Sequence, residues 1–267
     1  MTKITNSLSV VMPAYNEENR LAKTLDEFSN WVKDNSQMDI ELIIVNDGST
    51  DKTRDLVLRY ISKYQWIKLI DENHVGMMNA IISGINSSQY SLIGTLEADS
   101  PVHPDYFLSF IPFMEHNDVI VGSRFLEGDI EGKSLFRRII SKVNSLLFSS
   151  LFSTPVKDPQ ISFRIYNKKS VELVMPILAL KHDGFKSSEI AVKLHGLGLR
   201  VKEMPVKYFH DEDSKAVPRG FASIKVTIVA LFALLQLWLL TLKEYRRGLY
   251  SVCPLRGKKV IDIFKSN

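Results

Sequence analysis

The chain has 267 residues, 45% of them hydrophobic and 24% charged, with one cysteine and a formal net charge of +4. This composition excludes a disordered chain or a disulfide-stapled mini-domain, and a domain of about 200 residues buries enough apolar surface to fold unaided. A lone Cys253 and a polar stretch from Met1 to Leu8, without the apolar core of a signal peptide, lead us to expect a reducing, cytosol-facing setting.

In chain order, Leu8–Pro13 is an apolar run followed by a helical pattern with Leu21, Leu25, Phe28 and Val32 on one face. Ile40–Asn46 reads as a buried strand, with Ser49–Thr50 as a cap for a helix through Leu56 and Tyr60. Ile67–Ile70 predicts a third strand and Met77–Ile85 a third helix; Ser91–Leu96 and Asp118–Gly122 predict two more strands. Repeated strand–helix units predict an α/β fold, a mostly parallel sheet with helices on both faces and ligands beyond its carboxyl edge. Val226–Leu242 carries no charge and is bounded by Lys225 and by Lys243, Arg246 and Arg247. Seventeen helical residues reach about 26 Å, marginal against a hydrocarbon core of ~30 Å, so the run is read as a membrane-associated helix that either spans or lies flat, with a buried core or oligomer helix as the alternative. The basic excess sits here: from Lys215 onward there are ten Lys/Arg against two Asp/Glu, and before it 24 against 28. That pattern fits an anionic membrane surface, and nothing in it resembles a nucleic-acid module. The expected division is therefore 1–219 for a catalytic domain and 220–267 for the apolar helix and basic tail.

Four polar clusters follow strands. Pro13-Ala14-Tyr15-Asn16-Glu17 ends the first, where Asn16 is also a helix-capping candidate. Asn46-Asp47-Gly48-Ser49-Thr50 ends the second; a turn explains Gly48 and Ser49 but not Asp47, a carboxylate where a ribose or base is bound in such folds. Glu97-Ala98-Asp99 follows the fourth strand, and two carboxylates one residue apart suit a hard cation such as Mg²⁺ or Mn²⁺ that bridges to substrate phosphates. The fourth cluster is basic: Arg124, Arg137, Arg138, Lys186 and Lys215, whose side chains can pair with phosphate oxygens.

Taken together these clusters resemble family 2 glycosyltransferases of the GT-A fold, a Rossmann-like arrangement, and in particular the dolichyl- and polyprenyl-phosphate mannosyl- and glucosyltransferases. The resemblance runs from about Leu8 to Lys215. It implies that Pro13, Tyr15, Asn16 and Glu17 line the nucleotide pocket, that Asp47 contacts the nucleoside, and that Glu97 and Asp99, with Ala98 between them, hold the metal on the diphosphate. It implies that Arg124, Arg137 and Arg138 serve the lipid phosphate, and that Lys186, Ser214 and Lys215 continue the donor site. Asp158-x-Gln160 with Phe163-Arg164 is closer to the glucosyltransferase-like branch. The chain departs from the pattern at Glu97 and Asn46, each in place of Asp, at Pro101 where some relatives have Gln, at Phe209 where many have Arg, and at Ser162 where Gly is frequent.

The implied reaction is transfer of a hexose from UDP-glucose or GDP-mannose to a dolichyl or polyprenyl phosphate, with inversion, at the cytoplasmic face of a membrane. A phosphate monoester with a second pKa near ~6 is already largely dianionic at neutral pH, so no general base is assigned. Two other readings stay open: transfer to a glycan hydroxyl, which needs a carboxylate base for which Asp158 is the candidate, and a non-catalytic nucleotide-sugar-binding scaffold at the membrane. No Gly-x-Gly-x-x-Gly follows the first strand, which speaks against a dinucleotide-dependent oxidoreductase.

Overall fold

The computed structural model describes residues 7–126, 135–180, 183–209 and 221–256, and of 135–141, 184 and 221–228 the backbone alone. Strands β1 (Ser7–Ala14), β2 (Asp39–Asp47) and β3 (Ile67–Glu72) alternate with helices α1 (Leu21–Asp34), α2 (Thr53–Ile61) and α3 (Met77–Asn86). Both β1 and β2 are buried along nearly their whole length, which is why they read as unbroken apolar runs rather than alternating ones. The start of α2 differs from the expected cap at Ser49–Thr50: the helix begins at Thr53, and the Asp51 carboxylate accepts from the Thr53 amide at 2.9 Å. Gly84 lets α3 lie close on the sheet, since a Cβ there would meet Val11 at 2.4 Å.

The chain continues through β4 (Leu92–Thr95), α4 (Asp105–Phe110), β5 (Val119–Ser123), α5 (Leu135–Leu151), β6 (Arg164–Asn167), α6 (Lys168–Val174), α7 (Asp183–Gly196) and β7 (Val201–Pro205). All seven strands form one sheet in the order β3-β2-β1-β4-β6-β5-β7. Parallel pairing joins β3, β2, β1 and β4 and also β5 and β7, whereas β6 runs antiparallel to both of its neighbours. The sheet is thus mixed and mostly parallel, as expected. The reversal of β6 matters for function, because Arg164, at its start, pairs with Thr95 and Val121 near the carboxyl ends of β4 and β5. The loop entering β6 therefore arrives at the same edge as the loops leaving the parallel strands.

Helix α8 (Phe221–Arg246) contains the apolar run and packs on α5 and α7. Ala230, Ala233, Leu234, Leu237 and Thr241 form its buried face. Its last turn is fastened by charge: fully buried Lys193 of α7 contacts Glu189 at 2.9 Å and Glu244 of α8 at 3.1 Å. Two charges opposite one cation satisfy a group that would be strongly destabilising if buried alone. Among the described residues, no helix is long and apolar enough to cross a membrane.

Candidate active site

The strand order reverses direction beside β1: successive strands lie to one side as far as β3, and then β4 returns to the other side of β1. At such a switch point the loops leaving the two adjacent strands part and open a crevice. A cleft of about 1370 Å³ lies there. It brings together Pro13, Tyr15, Asn16, Glu17, Asp47, Glu97, Ala98 and Asp99, eight of the residues singled out from the sequence.

Asn16 is not a helix cap. It sits in the left-handed region, φ 53°, and its side-chain oxygen accepts from the Thr50 amide at 2.8 Å, tying the loop after β1 to the loop after β2. Glu17 adds a second tie, its amide donating to Thr53 Oγ1 at 2.8 Å. The Glu17 carboxylate is gripped by Arg20 at 2.7 and 2.8 Å. Burial raises the Glu17 pKa, Arg20 opposes that rise, and the nearby Asp99 charge adds to it.

Asp47 is buried, and both of its oxygens are occupied: Val75 N donates to one at 2.6 Å and Gly76 N to the other at 3.0 Å. Its carboxylate thus shapes the loop before α3. Across that loop His74 stands against Tyr15, ring centroids 4.2 Å apart, both at the cleft. Asn46 has a local reason to be an amide: its Nδ2 donates to Asp71 at 2.7 Å, where an aspartate would meet a second carboxylate.

Glu97 and Asp99 stand on a loop whose middle carbonyl, Ala98 O, accepts from Thr24 Oγ1 at 2.7 Å. Asp99 lies 3.7 Å from Arg20. Glu97 accepts from the hydroxyl of Ser162, at the entry to β6. Two departures from the family pattern thereby meet, since the extra methylene of Glu97 reaches the hydroxyl that a glycine would lack. Among the described residues no group of three or more His, Cys, Asp or Glu is gathered as a metal cage. Two carboxylates one residue apart at one cleft are nevertheless the donor set of an oxygen-preferring divalent ion completed by water and substrate phosphates. The residues fit Mg²⁺ or Mn²⁺.

Arg124 follows β5, and its surroundings differ from those of a free phosphate-binding fork. Its Nε and Nη2 donate to Asp158 at 2.7 and 2.6 Å, and its backbone amide donates to the same carboxylate at 3.1 Å. Asp158 is 1% exposed. Burial alone would lower the Arg124 pKa, but Asp158 outweighs it and the net shift is upward; Tyr208 and Glu97 act in the same direction. The Tyr208 ring lies under the guanidinium, 5.2 Å from centroid to carbon. Burial first, and Glu97 next, push the Tyr208 phenol up. Arg124, Tyr208 and Glu97 therefore share one electrostatic neighbourhood, although Arg124 does not line the cleft itself.

Lys186 also lies outside the cleft lining, donating to Asn79 Oδ1 on the first turn of α3. Arg137 and Arg138 fall on the first turn of α5, where the backbone alone is described, and Ser214 and Lys215 lie outside the described residues. The sequence reading passed over Arg20, Tyr208, His74 and Asp183. Arg20 was within reach of the pattern, three residues after Glu17 and therefore a neighbour on one turn. Asp183 was not: it accepts from the amides of Met78 and Asn79 at 3.1 and 3.2 Å, across more than a hundred residues of chain. Gly76 is required beside it, with φ 93° and a would-be Cβ 2.7 Å from the Asp183 carboxyl carbon.

A parallel βα half with a crevice at its switch point, an acidic loop after β4 and a reversed strand behind it define a glycosyltransferase of GT-A type. The model of glycosyl transferase family 2 matches residues 9–174. The chain belongs to that family. It is 28% identical over 235 residues to dolichyl-phosphate beta-glucosyltransferase ALG5A of Trichomonas vaginalis, covering 84% of this chain and 72% of that protein. It is 29% identical over 232 residues to the dolichyl-phosphate beta-glucosyltransferase of Mus musculus, covering 80% and 71%. Among solved structures it resembles the mannosyltransferase PcManGT from Pyrobaculum calidifontis, in complex with GDP-Man and Mn²⁺, with a TM-score of 0.57 and 18% identity. That match covers 83% of this chain but 60% of the other, so the likeness is one of fold.

Proposed function

We propose that this enzyme transfers glucose from UDP-glucose to a dolichyl or polyprenyl phosphate, with inversion at the anomeric carbon, at the cytoplasmic face of a membrane. One observation carries the reading: the loops bearing Tyr15–Glu17, Asp47 and Glu97–Asp99 converge on a single cleft. The names of the glucosyltransferase relatives supply the sugar and the lipid class. The Asp158-x-Gln160 segment supports the same branch.

The reaction must bring two anions together, a nucleoside diphosphate and a phosphate monoester. Glu97 and Asp99 would hold the divalent ion, which supplies Lewis-acid stabilisation of the departing diphosphate when bound. The acceptor oxygen forms the new bond to the anomeric carbon as the bond to the diphosphate breaks, and no proton has to be removed from the acceptor. Tyr15 and His74 offer the nucleobase a ring face, and Asp47 holds the loop on which His74 stands. Arg138 and Arg137 are assigned the direct contact with the acceptor phosphate. Arg124, closed on Asp158, keeps the wall between acceptor and metal side in place. Lys186, Ser214 and Lys215 are assigned to the donor diphosphate.

Transfer to a glycan hydroxyl is disfavoured by Asp158: the carboxylate that would act as base is buried and clamped by Arg124. The test is a donor screen of UDP-glucose and GDP-mannose against polyprenyl phosphate and glycan acceptors, with the product linkage determined. UDP-glucose and the lipid phosphate should give the product. Asp99→Ala should abolish transfer in a folded protein, and near-normal turnover of that variant in EDTA would end the metal assignment.

A further inference from the structure

The apolar run in α8 could cross a bilayer or lie on it, and the packing of the helix bears on the choice. Its buried residues, Ala230, Ala233, Leu234, Leu237 and Thr241, recur at helical spacing against the catalytic domain. Leu231, Phe232, Leu235 and Leu239 are exposed, Phe232 by 65%. On a wheel of 3.6 residues per turn the two sets point to opposite sides. A spanning helix would surround Leu237 and Thr241 with acyl chains and strip them of the packing they have. It would also carry the Lys193–Glu244 contact, one turn beyond the run, toward the bilayer edge. The exposed stripe 231–235–239 leads to Lys243, and Leu239 and Leu242 share a surface concavity with Lys243, Arg246 and Arg247. An apolar floor ending in three cations is complementary to an anionic phospholipid, with acyl chain below and headgroup phosphate above.

We propose that α8 is an in-plane membrane-docking helix, seating Leu231, Phe232, Leu235 and Leu239 in the acyl boundary of an anionic bilayer while its other face stays bolted to α7. This rests on the membrane reading above but not on the identity of the sugar or the acceptor. One consequence joins the two ends of α7. The helix carries Lys193 against α8, and its first residue, Asp183, caps α3 beside the donor cleft, so the cleft is held in a fixed attitude to the membrane plane.

The experiment uses the full chain with vesicles of phosphatidylcholine alone or mixed with phosphatidylglycerol. The protein should co-sediment with the mixed vesicles, more weakly with neutral ones, and be released by alkaline carbonate. Leu235→Glu combined with Leu239→Glu should lower partitioning by about tenfold or more, with the melting temperature unchanged. If that pair melts early, Lys243→Glu with Arg247→Glu serves instead and should erase the preference for anionic vesicles. Resistance to carbonate would overturn the proposal in favour of a spanning helix. Indifference of vesicle binding to both pairs would overturn it as well. So would a dimer that the leucine pair dissociates, without vesicle binding, since the face would then cover a second copy. Transfer to a short-chain polyprenyl phosphate in detergent micelles, measured in parallel, separates this outcome from failure of the catalytic reading: the docking variants should keep that activity.

Discussion

Asp158→Asn exchanges one buried carboxylate oxygen for an amide nitrogen and leaves the shape of the side chain almost intact. In the native protein that carboxylate receives two guanidinium bonds and one backbone bond, with 13% of the Arg124 side chain and 1% of the Asp158 side chain exposed. Breaking a buried pair by neutralising one partner costs about 3–5 kcal/mol, because the other charge is left without compensation. Here the Tyr208 face still attracts the guanidinium, by roughly 0.5–2 kcal/mol, and the amide oxygen still accepts one bond, so the lower end of the range, about 3 kcal/mol, is expected. For a domain of this size 1 kcal/mol moves the midpoint by roughly 2–4 °C, so Asp158→Asn should melt roughly 6–12 °C early. Thermal unfolding followed by circular dichroism measures it. The double variant Arg124→Met/Asp158→Asn, which removes both charges of the pair, should recover most of the loss. A single variant melting within about 1 °C of the native protein, or a double variant less stable than the sum of the singles, would refute the reasoning.

Three further outcomes are expected. Gly76→Ala forces a Cβ onto the Asp183 carboxyl at a positive φ, so the apparent KM for the nucleotide-sugar should rise several-fold while the KM for the lipid phosphate stays unchanged in steady-state kinetics. Ser162→Ala removes the hydroxyl that orients Glu97, and the divalent-ion concentration giving half-maximal activity should rise by about tenfold, the scale for losing an outer-shell partner. The third concerns acid. Burial raises the Asp118 pKa, but hydrogen bonds from Arg200 and Asn167 more than offset it and hold the group below the ordinary carboxylate range. A depressed folded pKa gives stability that is present above the unfolded value, near ~4, and is lost as pH falls through the folded value. Glu41 and Asp51 shift in the same direction and contribute in the same window, so melts should steepen below about pH 4 and Asp118→Asn should show a shallower acid limb.

The first half of the fold was legible because β1 and β2 are buried on both faces and the helices on one. Leu8–Pro13 and Ile40–Asn46 fall inside β1 and β2, and the stripe from Leu21 to Val32 falls inside α1. The second half hid its strands. In β6 the four residues Arg-Ile-Tyr-Asn include a buried arginine, satisfied by the carbonyls of Pro159, Ile161 and Ser187, an environment no residue count conveys. β7 is half-buried throughout, so no alternation marks it. At the site, Tyr15, Glu17, Asp47, Glu97 and Asp99, singled out by their side-chain chemistry, all line one cleft. What each carboxylate bonds to was illegible, because the partners of Asp47 are backbone amides 28 and 29 residues away and the partner of Glu97 is a serine 65 residues on. Arg124 shows the same gap: its position at a strand end was read correctly, while its commitment to Asp158 depends on the reversed strand.

That reversal couples parts of the enzyme that lie far apart along the chain. The half of the sheet from β3 to β4 holds the loops that line the cleft, and its parallel crossovers interlock through Asn16 and Thr50, so altering one loop disturbs another. The run from Lys157 to Ser162 enters from the opposite direction and is held on one side by Arg124, Glu203 and Ser188 and on the other by Thr95 and Glu97. A change of length or sequence there is therefore felt at the acidic loop after β4 as well as at the strand end that carries Arg124.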